Sequence, residues 1–360
     1  MENSRKTKCK FQNYNLIDLL KFICAFLVIG IHTRPFQACS DLLDRIFYYD
    51  ISNYAVPFFY ACTGYFLVVK HQEEDLHSKL MHRCSKVLKL YLLWSAIYLP
   101  LTIYGWFLEG ELKLVYLLRC LRNFIFVGEN FYSWTLWYLN GLIFALLIID
   151  FLSRKFKFRQ IVYIGSILYS IGIGMTMCHN HLEKLPSVLA NPIDLYFSLF
   201  VTTRNGLFQS LVFISLGMLM AKIECDDKLK IPVRDVLLLG FMYFVKVSFS
   251  LVRGGQYFSQ ILDLFVFWFI FKLIIYGCHK INLKGAVYKQ LRNMSGTIYF
   301  IHMYFVAFCS LIIFKRGDYH NFISFLICSV CAVFISGVYW RIKRKWARDA
   351  KSEGLVPYRE

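Results

Sequence analysis

Lys21 and His32 stand eleven residues apart in a stretch that is otherwise almost wholly apolar, Leu19-Leu20-Lys21-Phe22-Ile23-Cys24-Ala25-Phe26-Leu27-Val28-Ile29-Gly30-Ile31-His32. At about 100° per residue, eleven residues make three helical turns plus about 20°, so both side chains share one helix face. His32 lies about 16 Å farther along that face, and Asp18 falls about 40° off the line. Ionisable residues within lipid-spanning segments are unfavourable and by default mark function. Histidine is the side chain best suited to move a proton near neutral pH, so His32 reads as a general base. For His32 the structural alternative is a satisfied packing histidine. For Asp18 and Lys21 it is an ordinary place at the membrane interface.

The remaining polar residues sort by depth. Arg83, Lys86, Lys89, Lys272 and Lys21 gather toward one end of the apolar segments, with His302 about 10 Å in by the helical rise. Arg34, Arg204, Lys246 and Asp263 gather toward the other end. A guanidinium pairs bidentately with phosphate, so a cluster holding Arg83 suits a phosphate-rich donor. A histidine toward the opposite end suits an acceptor hydroxyl. Lys89 and Lys272 also read as lysines that snorkel to headgroups. Lys246 and Asp263 read equally as an ion pair or as substrate contacts. Glu129 precedes an aromatic run, Phe131, Tyr132, Trp134, Trp137 and Tyr138, that fits an interfacial belt.

Of the 360 residues, 58% are hydrophobic and 18% charged, and mean hydropathy is +0.48. A soluble domain is about half apolar and a quarter charged, so a soluble enzyme and a disordered chain are both disfavoured. About 20 apolar residues are needed to cross a bilayer. Ten runs meet that length, at about 16–35, 51–70, 85–107, 134–153, 160–178, 206–224, 233–250, 258–277, 295–314 and 321–340. The expectation is an all-α, polytopic membrane protein with a single membrane-embedded domain over 1–360 and both termini cytoplasmic. Alternate connecting segments carry 26 and 10 Lys and Arg, and the richer set is cytoplasmic by the positive-inside rule. That bias accounts for most of the net charge of +18, so no nucleic-acid partner is expected. The tail Arg341, Lys343, Arg344, Lys345 and Arg348 reads as a stop-transfer cluster against anionic headgroups. Arg5, Lys6, Lys8 and Lys10 precede the first span as in a signal peptide, but no small-residue cleavage site follows, so a retained helix is expected. Cys24, Cys62, Cys309, Cys328 and Cys331 sit in apolar runs as small hydrophobes. Neither Cys328-x-x-Cys331 nor Cys178-His179-Asn180-His181 has the spacing of a standard metal site, and none is expected.

Four segments carry a resemblance to a known family. They are Asp18-Leu19-Leu20-Lys21 with ten residues before His32, Val56-Pro57-Phe58-Phe59-Tyr60-Ala61-Cys62-Thr63-Gly64-Tyr65-Phe66, His82-Arg83-Cys84-Ser85-Lys86, and Ser295-Gly296-Thr297-Ile298-Tyr299-Phe300-Ile301-His302. In order and in spacing they resemble the membrane acyltransferase-3 family, the integral O-acyltransferases that modify bacterial cell-surface glycans. Lys21 stands where the family usually has Arg, Thr63 where it has Ser, and Lys86 where it has a second Arg. Both basic exchanges keep charge but lose the bidentate fork. Thr202-Thr203-Arg204-Asn205-Gly206-Leu207-Phe208 with Leu216-Gly217-Met218 resembles the membrane half of vancomycin-resistance serine racemases. No soluble racemase half follows within this sequence.

The resemblance implies a multi-pass protein of the bacterial plasma membrane. It implies transfer of an acyl group, acetyl by preference, from cytoplasmic acyl-CoA to a hydroxyl of a surface or lipid-linked saccharide. Acyl-CoA would be a co-substrate, with no tightly bound cofactor, and membrane lipid and a glycan or glycolipid acceptor the other partners. His32 would be catalytic. Lys21, Arg83 and Lys86 would hold the donor, and Arg204, Arg34 and Asp263 the acceptor or oxyanion. Asp18, Thr63, Tyr65 and His302 would line the site. The alternative is a transporter or exporter of a small polar molecule such as an amino acid, with no covalent step.

Overall fold

A computed structural model of the chain describes residues 13–69, 75–109, 113–226, 228–252 and 254–352. Arg5, Lys6, Lys8, Lys10, Lys70, Arg253 and Arg359, all counted in the charge bias, lie outside the described residues. No strand occurs among the described residues. The helices are α1 (Asn15–Thr33), α2 (Asp41–Arg45), α3 (Ala55–Val69), α4 (Leu76–Glu109), α5 (Leu114–Arg122), α6 (Trp137–Ser153), α7 (Phe158–His179), α8 (Ser187–Phe200), α9 (Leu211–Cys225), α10 (Val233–Leu251), α11 (Gln256–Lys280), α12 (Val287–Phe308) and α13 (Phe322–Ser352). The chain is an all-α polytopic membrane protein.

Eight helical segments, those of α1, α4, α6, α7, α9, α11, α12 and α13, are long and apolar enough to cross a membrane. Two of the expected spans fall outside these eight, for different reasons. At 51–70 the chain enters through tighter and wider helical turns (Ile46–Tyr54), leaving α3 with 15 residues, 11 of them buried, so it reads as a core helix. At 233–250, α10 carries Arg234, Asp235 and Lys246, and the last two pair with α11. The segments 108–133 and 179–205, which lie between expected spans, contain α5 and α8. In α5, Leu114, Leu117, Leu118 and Leu121 are exposed at helical spacing while Arg119 and Arg122 stand apart from them, the pattern of a helix lying in a membrane interface.

The packing divides into two compact units, residues 1–17 with 53–283, and residues 18–52 with 284–360. In the first, α3 packs most extensively on α9. The two run parallel: Tyr60 meets Ser210 near one end and the Tyr65 hydroxyl donates to Glu224 near the other. Small residues let helix backbones approach closely inside membranes. A Cβ at Gly64 would stand 2.0 Å from the Ile214 carbonyl oxygen, and one at Gly217 2.0 Å from that of Ala61. This mutual contact is the reason for the glycine in each of the two sequence motifs. Gly217→Val is expected to force the helices apart and destabilise by about 1–3 kcal/mol, read as a lowered midpoint of thermal unfolding in detergent. Helices α10 and α11 form an antiparallel pair, tied by Lys246 to Asp263 (3.3 Å) and Lys272 to Asp235 (2.5 Å). Lys272, read from the sequence as a lysine that snorkels, meets Asp235 in the first turn of α10. Helix α4 is fastened to α6 where Asp150 accepts from His77 (2.7 Å) and Arg154 (2.9 Å).

In the second unit α12 and α13 are antiparallel. The Trp340 indole donates to the Thr297 hydroxyl (3.0 Å), and Cys309 and Cys328 lie 4.0 Å apart, sulfur to sulfur, twelve residues farther along each helix.

Candidate functional site

Asp18, Lys21, His32, Arg34 and His302 all belong to the second unit, and Thr63, Tyr65, Arg83, Lys86, Arg204 and Asp263 to the first.

In the second unit, α1 is continuous from Asn15 to Thr33, so Lys21 and His32 do share one stripe. Both are half-buried. Asp18 is buried near the foot of that stripe and takes a charge-assisted contact from Arg292 at 3.4 Å. The His32 ring lies 5.4 Å, centre to centre, from the ring of His302. Helix α12 begins at Val287, eight residues before the apolar run expected at 295, and His302 stands about 22 Å along it. His302 is fully buried, and its Nδ1 faces the Ile298 carbonyl at 3.2 Å. A carbonyl only accepts, so Nδ1 carries the proton in that bond and Nε2 keeps its lone pair. That Nε2 has no hydrogen-bond partner among the described residues. Two imidazoles, one half-accessible and one sealed, thus sit side by side.

Arg34 follows α1 with φ of +41°, a region non-glycine residues seldom occupy. Its guanidinium pairs with the buried Asp44 and lies 5.1 Å from the centre of the Tyr48 ring. The pairing fixes its direction.

In the first unit the expected residues occupy separate places. Arg83 and Lys86 are exposed on α4, one turn apart, and Arg83 is within electrostatic reach of the Tyr138 hydroxyl. Thr63 donates to the Phe59 carbonyl of its own helix (3.0 Å), and the buried Tyr65 donates to Glu224. Asp263 is 3% exposed. Its Oδ1 accepts from Tyr54 (2.8 Å) and faces Lys246, while Oδ2 accepts from Asn53 (2.6 Å). Lys246 itself is fully buried and forms an ion pair with Asp263.

Arg204 is exposed on a corner that its own motif builds. Asn205 caps the following helical turn by accepting from the Leu207 and Phe208 amides, and Thr203 bonds Thr176 on α7 (2.8 Å). The guanidinium lies 5.8 Å from the centre of the Trp137 ring. Glu129 is half-buried within electrostatic reach of Arg204. Burial pushes the Glu129 carboxyl above the ordinary glutamate range, and the guanidinium opposes that shift. Arg204 thus presents an exposed guanidinium beside the buried Trp137 and a partly desolvated carboxyl.

Sequence reasoning missed three groups. Glu224 joins Tyr65 to His279 (3.0 Å), Asp150 joins α4 to α6, and Arg292 meets Asp18. The available signal was an acidic residue near the end of an otherwise apolar run. In the Cys178-to-His181 stretch, His179 stacks on Phe197 (3.9 Å) and Asn180 bonds Tyr257 (2.7 Å). Among the described residues no group of three or more His, Cys, Asp or Glu could hold a metal ion.

Comparison with known proteins follows the same lines. The chain is 25% identical over 342 residues to an "Amino-acid racemase" of Enterococcus faecalis, covering 92% of this chain and 46% of the relative. A second "Amino-acid racemase" of that organism is 32% identical over 209 residues, 58% of this chain and 28% of its own length. A "Serine/alanine racemase" of Enterococcus gallinarum is 24% identical over 345 residues, 93% of this chain and 47% of the relative. The chain thus spans about half the length of the full-length matches among its curated relatives. No solved structure matches it. Residues 14–341, which hold every motif described above, match the family described as "Acyltransferase domain" (Acyl_transf_3), and with its apolar helices the chain belongs to that family as a multi-pass membrane acyltransferase.

Proposed function

We propose that the chain moves an acyl group, in our reading acetyl, from cytoplasmic acyl-CoA to a hydroxyl of a cell-surface or lipid-linked saccharide at a bacterial plasma membrane. In this reading residues 1–360 act as one membrane-embedded domain with both ends cytoplasmic. The supporting observation is the half-buried His32 imidazole, carried on one continuous helix with Lys21 and set beside His302. Lys21, Arg83 and Lys86 hold the phosphates of the donor. His32 takes the proton from the acceptor hydroxyl as its oxygen attacks the thioester carbonyl; the carbon–sulfur bond breaks, and the thiolate leaves and is protonated in turn. Attack by His32 itself, through an acyl-imidazole, balances equally well. Arg204 and Arg34 position the acceptor or stabilise the oxyanion. Asp263 supports the acceptor side through Tyr54 and Asn53, and Asp18, Thr63, Tyr65 and His302 shape the walls. The chemistry needs no metal and no tightly bound cofactor. Its partners are membrane lipid, acyl-CoA and a glycan or glycolipid, without nucleic acid.

A second reading, passage of a small polar molecule such as an amino acid without covalent chemistry, is favoured by one observation. Lys246 and Asp263 form a fully buried ionic pair of the kind transporters use. The relatives' names contribute only the class of molecule, an amino acid such as serine or alanine. One experiment separates the readings. Purified protein in vesicles receives radiolabelled acetyl-CoA on one side, and in parallel radiolabelled serine. Acyl transfer predicts thiol release and label in the saccharide or lipid-linked fraction. Serine uptake with no thiol release under any acceptor would overturn it.

A further inference from the structure

Helices α12 and α13 part toward the C-terminal end of α13 and leave a groove of about 320 Å³ within the second unit. Its two ends differ in chemistry. At one end stand Arg341 and Arg344 from α13, across from the amides of Gln290 and Asn293 on α12. Both arginines are exposed, and neither pairs with a carboxylate among the described residues. Continuing up α13 by helical turns, the wall becomes Gly337, Phe334 and Val333, with Met294 opposite. Phe334 is 69% exposed and Val330, one turn on, 64%. A cationic mouth with amide donors, leading into an apolar trough on a membrane-crossing helix, has the polarity of one kind of molecule.

We propose that this groove is a binding site for an anionic phospholipid. Its phosphate lies between Arg341, Arg344 and the two amides, and an acyl chain lies along Phe334 and Val333. The charge complementarity is local. Guanidinium groups take phosphate bidentately, and basic residues just beyond a membrane span attract anionic lipid. Gly337 makes the room: a Cβ there would meet Met294 Cε at an unstrained 4.0 Å, so a side chain could be added without displacing backbone. The site is separate from His32 and from the acyl-transfer reading, and its test does not measure that activity.

Trp340 forms part of the groove wall and serves as the reporter. The full chain in detergent is titrated with phosphatidylglycerol brominated in its acyl chains, and the quenching that disappears in Trp340→Phe is followed. Saturable quenching is expected, and brominated phosphatidylcholine should need a higher concentration to match it. Arg341→Gln with Arg344→Gln is expected to raise the half-saturation about 30-fold, roughly fivefold per arginine. Gly337→Leu fills the trough while keeping every charge and improving helix propensity, and should raise it about tenfold. Lys315→Gln with Arg316→Gln, at the opposite end of α12 and α13, should leave it unchanged. Equal quenching by the two lipids, or a wild-type half-saturation in Gly337→Leu, would overturn the proposal. So would a chain that self-associates through this face, with dimer formation lost in Gly337→Leu and no quenching by phosphatidylglycerol.

Discussion

His32→Ala is expected to lower acyl transfer by about 10²- to 10⁴-fold, the usual contribution of a positioned general acid–base group. The donor's KM should hardly move, because the variant keeps Lys21, Arg83 and Lys86. The fold should also survive: His32 is half-buried near the end of α1, so truncation removes little core. A packing role predicts the reverse, with lowered stability and an intact kcat. The pH profile adds a second signature. A general base works only when unprotonated, so kcat/KM for the native chain must fall toward acid pH, and in His32→Ala that limb should vanish. Rapid quenching with radiolabelled donor in the absence of acceptor divides the two mechanisms. Label retained on the native chain and absent from the variant means an acyl-imidazole. No retained label, with turnover on adding acceptor, means direct transfer. A variant with native turnover and a native pH limb would remove His32 from the reaction altogether.

Much of this was legible from the chain itself where one helix sufficed. The α-helical period alone puts Lys21 and His32 on one stripe, and α1 runs unbroken through both. What needed a second helix was not legible. Gly64 and Gly217 could be quoted as parts of motifs, yet their reason, two backbones meeting at a parallel crossing, exists only when α3 and α9 come together. The partnership of His302 and His32 needs α1 and α12 side by side, and the early start of α12, through Tyr288 to Asn293, is one that a hydropathy criterion passes over. Helices α5 and α8 escaped for a related cause. They have 9 and 14 residues, too short to cross, and an interfacial helix shows itself by the direction of its apolar face rather than by its length. The Glu224 network was missed because a lone carboxylate near the end of a span looks like an interface residue until its donors, Tyr65 and His279, arrive from α3 and α11.

Lys246→Met should destabilise the first unit by about 3–5 kcal/mol, the range for removing one partner of a buried ion pair. Asp263 would keep its hydrogen bonds from Tyr54 and Asn53, but its charge would lose the ammonium 3.3 Å away in a site only 3% exposed. Asp263→Asn leaves the mirror-image fault, a buried ammonium without its carboxylate, and should cost a similar amount. The double variant Lys246→Met with Asp263→Asn removes both charges and keeps an amide to meet Tyr54 and Asn53. It should recover most of the loss, so the two effects must be strongly non-additive. Unfolding midpoints of all four proteins in one detergent close the cycle; additive single losses would show that the pair is not coupled. The same four proteins bear on function, because a pair that only holds α10 to α11 affects activity through the amount of folded protein. Per folded molecule, the double variant should then turn over acyl donor at the native rate, whereas a carboxylate that also supports the acceptor side makes that rate fall. If the pair instead moves charge during passage of a solute, restoring stability cannot restore uptake, since neither charge remains to move.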